Sequence, residues 1–236
     1  MACTTNPSSQ FRRFITGGLF KCYGTISSLI NNSNLVPANA FVRLFQGTNI
    51  LTAPVLPGTS LDNYVYMSMF ENCSNLTKAP ALPATTLAAY CYKYMFRNCS
   101  SLTTAPALPA TKLTTSCYEY MFDSCSSLTT APALPATTLA AYCYQYMFRN
   151  CSSLTTAPAL PATTLTTSCY QYMFDGCSKL NYIKAMFTST PGKNYTYNWV
   201  KGVSSKGTFV KNHAATWTTT GVNAIPTGWT VQTASS

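Results

Sequence analysis

The side chains that could do chemistry in this 236-residue chain are few in kind: eleven cysteines, sixteen tyrosines, one histidine and five carboxylates. Nine cysteines fall in two rows, Cys73, Cys99, Cys125, Cys151 and Cys177, and Cys91, Cys117, Cys143 and Cys169. Zinc sites need two close Cys-x2-4-Cys pairs, and neither row supplies one. The spacing of Cys91 and Cys99 leaves a disulfide between rows geometrically open. A row that recurs with a structural period is also what a small, reduced thiol gives when it fills an interior column. His213 is the single histidine, so a Cys–His nucleophile has no local context. The acids are Asp62, Glu71, Glu119, Asp123 and Asp175. Hydrolysis by paired carboxylates needs two acids converging on one bond. Three of these five belong to one repeating row with no second acidic row opposite it. The sequence is therefore read as non-enzymatic, with no catalytic residues, metal or cofactor.

The elements that position these rows follow from a repeat. Met-Phe recurs at Met69-Phe70, Met95-Phe96, Met121-Phe122, Met147-Phe148 and Met173-Phe174, a spacing of 26 residues. Looser copies at Leu19-Phe20 and Leu44-Phe45 place the start of the array near Phe11, and Met186-Phe187 breaks the spacing at its end. One unit runs from Cys99 through Leu102, Ala105-Pro106, Leu108-Pro109 and Cys117 to Met121-Phe122. A short parallel strand is expected at 101–105, ended by Pro106, which has no N–H to give a ladder. A short helix is expected after Thr111, with Leu113, Cys117, Tyr120 and Met121 on one buried stripe. The fold class is thus an α/β repeat solenoid of leucine-rich-repeat type, divided into an N-terminal cap with degenerate repeats (1–60), regular repeats (61–187) and a β-rich C-terminal cap (188–236).

The order Cys-x-x-Leu-x-x-Ala, then Leu-Pro, then a segment ending in Phe-x-x-Cys resembles the BspA-type, or Treponema-type, leucine-rich repeats. The resemblance covers roughly residues 11–187. It departs from the family in the Pro within the strand and in one extra residue before Leu-Pro. It implies surface proteins of gut Bacteroidales and their phages, hence an extracellular location on a bacterial surface or a virion.

Alternate units differ. Leu87-Ala-Ala-Tyr90-Cys91 with Arg97 gives way to Leu113-Thr-Thr-Ser116-Cys117 with Asp123, and both then recur. Stacking would align Glu71, Arg97, Asp123, Arg149 and Asp175 as a ladder of alternating sign that fixes register. Tyr66, Tyr92, Tyr118, Tyr144 and Tyr170 lie about 140° from the buried Leu on a helical projection. They are expected to be partly exposed, either to receive sugar rings or a protein partner, or to stack on one another and shield the helices. Thr104, Thr130 and Thr156, preceded in their row by Lys78, offer a hydroxyl array on the strand side, and solenoids bind through such extended faces.

Charged residues make up 8% of the chain, and the net charge is +10. Lys179, Lys184, Lys193, Lys201, Lys206 and Lys211 lie in a stretch with no Asp or Glu, so the C-terminal cap is a candidate dock for an acidic partner rather than for a specific nucleic acid. The Gly-punctuated Thr/Val/Phe/Trp pattern of that cap suggests short antiparallel strands, with Trp199, Trp217 and Trp229 packing it onto the last repeat. No apolar run is long enough to span a membrane. Met1 to Gln10 lacks the apolar region of a secretory signal. Export would then rest on a leader upstream or on release by lysis; otherwise the chain stays inside its cell. These features point to an adhesion or recognition module for a surface glycan or protein. The alternative is a structural, self-assembling virion or fibre subunit, and either could be oligomeric.

Overall fold

The protein, seen in a computed structural model that describes residues 2–5, 12–15, 17–32 and 34–235, is a parallel β-solenoid whose coils recur every 26 residues. The expected start of the array near Phe11 lies outside these residues. On the strand side, Pro80, Pro106, Pro132 and Pro158 have no amide to donate, so pairing between coils shrinks to single residues. Two lines of parallel bridges result. One includes Thr52↔Lys78, Lys78↔Thr104 and Thr104↔Thr130, and the other Ser60↔Thr86 and Lys112↔Thr138. Longer pairing survives near the ends. Strands β1 (Ala2–Thr5) and β2 (Arg12–Ile15) form an antiparallel pair. Strand β3 (Phe20–Lys21) lies parallel to β5 (Ile50–Thr52), and β4 (Leu35–Val36) parallel to β6 (Ser60–Leu61).

The segment expected to be a helix is a ribbon of overlapping turns. Ser116, Tyr120 and Ser124 all have left-handed backbones (φ of 55°, 57° and 62°), as do Tyr90, Tyr94 and Asn98 in the preceding coil. A left-handed residue every fourth position stops an α-helix from propagating. Among the described residues helix is confined to two single turns, Ser27–Ile30 and α1 (Lys193–Thr196). The sequence spacing misled because Cys117, Met121 and Cys125 recur every four residues, which a helix nearly satisfies. The buried apolar set is instead Cys117-Tyr118, Met121-Phe122 and Cys125, adjacent pairs that no single helical stripe contains.

The ribbon satisfies its backbone by alternation. Amides of Cys117, Glu119, Met121, Asp123 and Cys125 close turns onto the carbonyl three residues back. Amides of Ser116, Tyr118, Tyr120, Phe122 and Ser124 donate instead to Ala141, Cys143, Gln145, Met147 and Arg149 in the next coil, at 2.7–3.1 Å. Every second amide thus ties one coil to the next, and no buried amide of this run lacks a partner.

The core lies between ribbon and strand side. Leu76, Leu102, Leu128, Leu154 and Leu180 are fully buried, and Leu82, Leu108, Leu134 and Leu160 almost so. Beside them runs a phenylalanine column in which Phe45, Phe70, Phe96, Phe122, Phe148 and Phe174 stack with centroids 5.4–5.8 Å apart. Phe14 of β2 begins the column, 5.0 Å from Phe45, and its amide donates to Leu44.

The C-terminal strands are parallel, not antiparallel. Strands β7 (Tyr182–Ala185), β8 (Thr208–Lys211) and β9 (Thr230–Thr233) form one sheet in that order. They continue the coil, since Tyr182 bridges Thr156, so no hairpin is needed. Trp199 takes the next place beyond Phe174, whose amide bonds the Trp199 carbonyl at 2.8 Å, and its indole closes over Tyr170, Phe174, Phe187 and Phe209.

Phe122 sits midway along a close-packed column, so Phe122→Ala is expected to cost about 3–5 kcal/mol. Denaturant unfolding checks this, and a loss below about 1 kcal/mol would mean that the column does not carry the core.

Candidate ligand-binding surface

On the ribbon side the structure corrects the expected exposure of the tyrosines. Tyr92, Tyr118, Tyr144 and Tyr170 are each only 1% exposed, stacked at 5.8–6.0 Å as a second internal column that the equally buried Tyr66 extends, 5.7 Å from Tyr92. The helical projection failed because each of the four follows directly on a buried cysteine in a ribbon that turns inward in pairs. The Tyr118 hydroxyl is buried without a hydrogen-bond partner. Burial pushes all four phenols well above their ordinary range.

Tyr94, Tyr120, Tyr146 and Tyr172 form a half-buried row on left-handed residues, with ring centroids 4.2–4.8 Å apart, while Tyr23, Tyr64 and Tyr142 are the exposed tyrosines among the described residues. The helical spacing places Tyr120 on the buried stripe with Leu113, Cys117 and Met121, but the left-handed ribbon leaves it half-buried instead. Cations cover it: Arg97 lies 4.7 Å from the Tyr94 centroid, and Arg149 5.0 Å from that of Tyr146. Beneath them Arg97 pairs with Glu71, Arg149 holds Asp123 through two bonds of 2.9 Å, and Lys93 meets Glu119 at 2.8 Å. The ladder of alternating sign therefore pairs in register at Glu71–Arg97 and Asp123–Arg149, where both carboxylates are buried, while Asp175 at its end is half-buried. Buried and ion-paired, Glu71 and Asp123 pin the register of neighbouring coils.

The cysteine rows are interior columns of free thiols. In one of them each Sγ donates to a phenylalanine carbonyl of the preceding coil, as in Cys99 to Phe70, Cys125 to Phe96 and Cys151 to Phe122, all at 3.1 Å. Burial raises the pKa of Cys91, Cys99, Cys125, Cys143, Cys151 and Cys177, that of Cys117 to about 12 and that of Cys169 to about 11. Among the described residues no group of three or more His, Cys, Asp or Glu could hold a metal. His213 is exposed in the C-terminal segment.

The strand side differs in every respect. Thr104, Thr130 and Thr156 are exposed, and they belong to a line in which Thr52, Lys78, Thr104 and Thr130 bridge in turn, as do Thr156, Tyr182, Thr208 and Thr230. Neighbouring Thr103, Thr129 and Thr155 are also exposed, which doubles the hydroxyls offered per coil. Against this line opens a groove of about 630 Å³, within the range of small-ligand sites, lined by Thr77, Lys78, Thr103 and Thr104 with 79–83, 105–107 and Pro109. Its floor of Ala, Pro and Leu is rigid, since proline fixes the backbone before any ligand arrives.

The profile of the BspA type leucine rich repeat region matches six copies across residues 63–201. The chain belongs to the BspA-type leucine-rich repeat family. No curated protein and no solved structure gives a significant match. In this BspA-type array the family match runs past residue 187 into the coil that carries Trp199, in step with the ladder.

Iodoacetamide at neutral pH is expected to modify none of the nine row cysteines in the native protein and all nine in guanidinium, read by mass spectrometry. A row cysteine alkylated in the native state would contradict the buried columns. Their raised pKa also sets an alkaline limit. The unfolded chain releases thiol protons first, so this stability is complete below about pH 8.5 and falls as pH rises toward 11 and 12. Melting temperature across pH 7–11 checks the sign, and a rise would contradict it.

Proposed function

We propose that the protein is a non-enzymatic adhesion or recognition module, displayed on a bacterial surface or a phage particle, that binds glycan or protein through the strand side of its repeats. The groove at Lys78 and Thr104 carries this reading. It is preformed and apolar at its floor, and the exposed row of Thr104, Thr130 and Thr156 extends its polar edge along the axis. Leucine-rich repeats use extended faces of this kind as interaction surfaces. Tyr92, Tyr118, Tyr144 and Tyr170 support the surface from within by fixing the spacing of the coils.

A second reading, a structural subunit docking through its C-terminal end, draws on β9. All four of its side chains are exposed, Val231 at 44%, and it forms the outer strand of its sheet among the described residues. Such an edge is a template for another chain, and the adjoining lysines favour an acidic partner.

Ala81 and Ala107 are exposed in the groove, so Ala81→Tyr/Ala107→Tyr fills it without touching the core. Wild type and this variant, matched in melting temperature, are to be applied to arrays of glycans and extracellular-matrix proteins. Hits abolished in the filled variant are expected; hits kept by it, or none for wild type, would remove the strand side from the account.

A further inference from the structure

Resting on that reading of the strand side, we propose that its ligand is an acidic polysaccharide lying along the solenoid axis, with its carboxylate or sulfate groups met by Lys78 and Lys112. The distribution of charge between the two sides points there. All five acids of the chain lie in the ribbons or at their start, and Glu71, Glu119 and Asp123 are buried and paired. The strand-side segments 77–87, 103–113, 129–139 and 155–165 contain no acid at all. They do contain Lys78, in the groove lining, and Lys112, three residues beyond the Pro109 that also lines it, and both are exposed. These lysines stand on adjacent coils, one in each line of bridges. A surface with cations and no competing carboxylate is complementary to an anion.

The choice of polysaccharide over acidic peptide comes from periodicity. From Thr103-Thr104 through Thr129-Thr130 to Thr155-Thr156 each coil presents the same pair of exposed hydroxyls, followed by the same Ala-Pro-Ala-Leu-Pro sequence. Apart from Lys78 and Lys112, the chemistry of this surface does not change from coil to coil, and it is matched by a ligand that also does not change along its length. A polymer of identical hydroxylated units fits that description. Beyond the two lysines a peptide would find nothing here to distinguish one side chain from the next, and the bridge lines already engage backbone that a β-strand ligand would need. The Thr129 hydroxyl donates to the Thr103 carbonyl and so offers a ligand its lone pairs, and hydroxyls of the row can accept from sugar hydroxyls.

The full chain is to be titrated calorimetrically with polygalacturonate, with neutral dextran of similar length and with polyglutamate. Two variants of equal net charge accompany wild type: Lys78→Glu/Lys112→Glu, and Lys179→Glu/Lys206→Glu, whose lysines are exposed away from the groove. Expected is saturable binding of polygalacturonate that weakens about tenfold or more in the first variant and less than about twofold in the second. Equal loss in both variants would reduce the effect to the protein's general positive field and overturn the proposal. So would dextran binding as tightly as polygalacturonate, polyglutamate doing so, or no polyanion binding at all. A neutral glycan or a protein that binds wild type but not Ala81→Tyr/Ala107→Tyr would keep the groove as a binding surface while overturning its acidic ligand.

Discussion

The whole molecule depends on one constraint: every second amide of the ribbon must find a carbonyl in the coil above. Phe122 to Met147, Phe148 to Met173 and Phe174 to Trp199 are links of that chain of bonds. A buried amide without a partner costs on the order of 1–3 kcal/mol, so a slip of one residue between two coils would orphan several at once. The alternation of turn-closing and coil-joining amides fixes register more firmly than the sparse bridges on the strand side, where the prolines remove donors.

Meeting that constraint requires left-handed residues at every fourth position, and the side chains there reflect it. Asn72, Asn98, Ser124, Asn150 and Gly176 occupy one such column, and asparagine and glycine, which fill all but one of its places, tolerate this backbone best. Gly176 has a second reason to be glycine, because a Cβ there would run into the Asn150 side-chain oxygen. Tyr94, Tyr120 and Tyr146 occupy another column despite the strain that a bulky left-handed residue carries. Ring stacking at 4.2–4.8 Å and the covering guanidinium groups supply the compensation.

What the sequence made legible was whatever depends on the period alone. Identical residues 26 apart must stack, so the Phe column, the buried cysteine rows and the sign-alternating ladder from Glu71 to Asp175 could all be read without coordinates. Local backbone conformation could not. Tyr118 and Phe122 each follow a buried residue, and on a 3.6-residue projection that places them off the stripe; only a four-residue ribbon takes adjacent pairs inward. The parallel course of β7, β8 and β9 was hidden because glycines and threonines interrupt the Met-Phe signature there, although Tyr182 still sits in the row of Thr156. On the binding side, Thr104, Thr130 and Thr156 were visible as a row, whereas the groove beside them arises from how two proline-rich loops lie across adjacent coils.

Ribbon and strand side thus divide the labour. One consumes the acids, the aromatic rings and most of the cohesion; the other is left with hydroxyls, prolines and unpaired lysines, and is free to present a groove. The division holds only if the ribbon bonds run between coils. Scalar couplings across hydrogen bonds, measured by NMR on deuterated protein, read donor and acceptor directly. The account predicts a coupling from the Phe122 amide nitrogen to the Met147 carbonyl carbon; a coupling from Phe122 to Tyr118 instead, as in an α-helix, would contradict it.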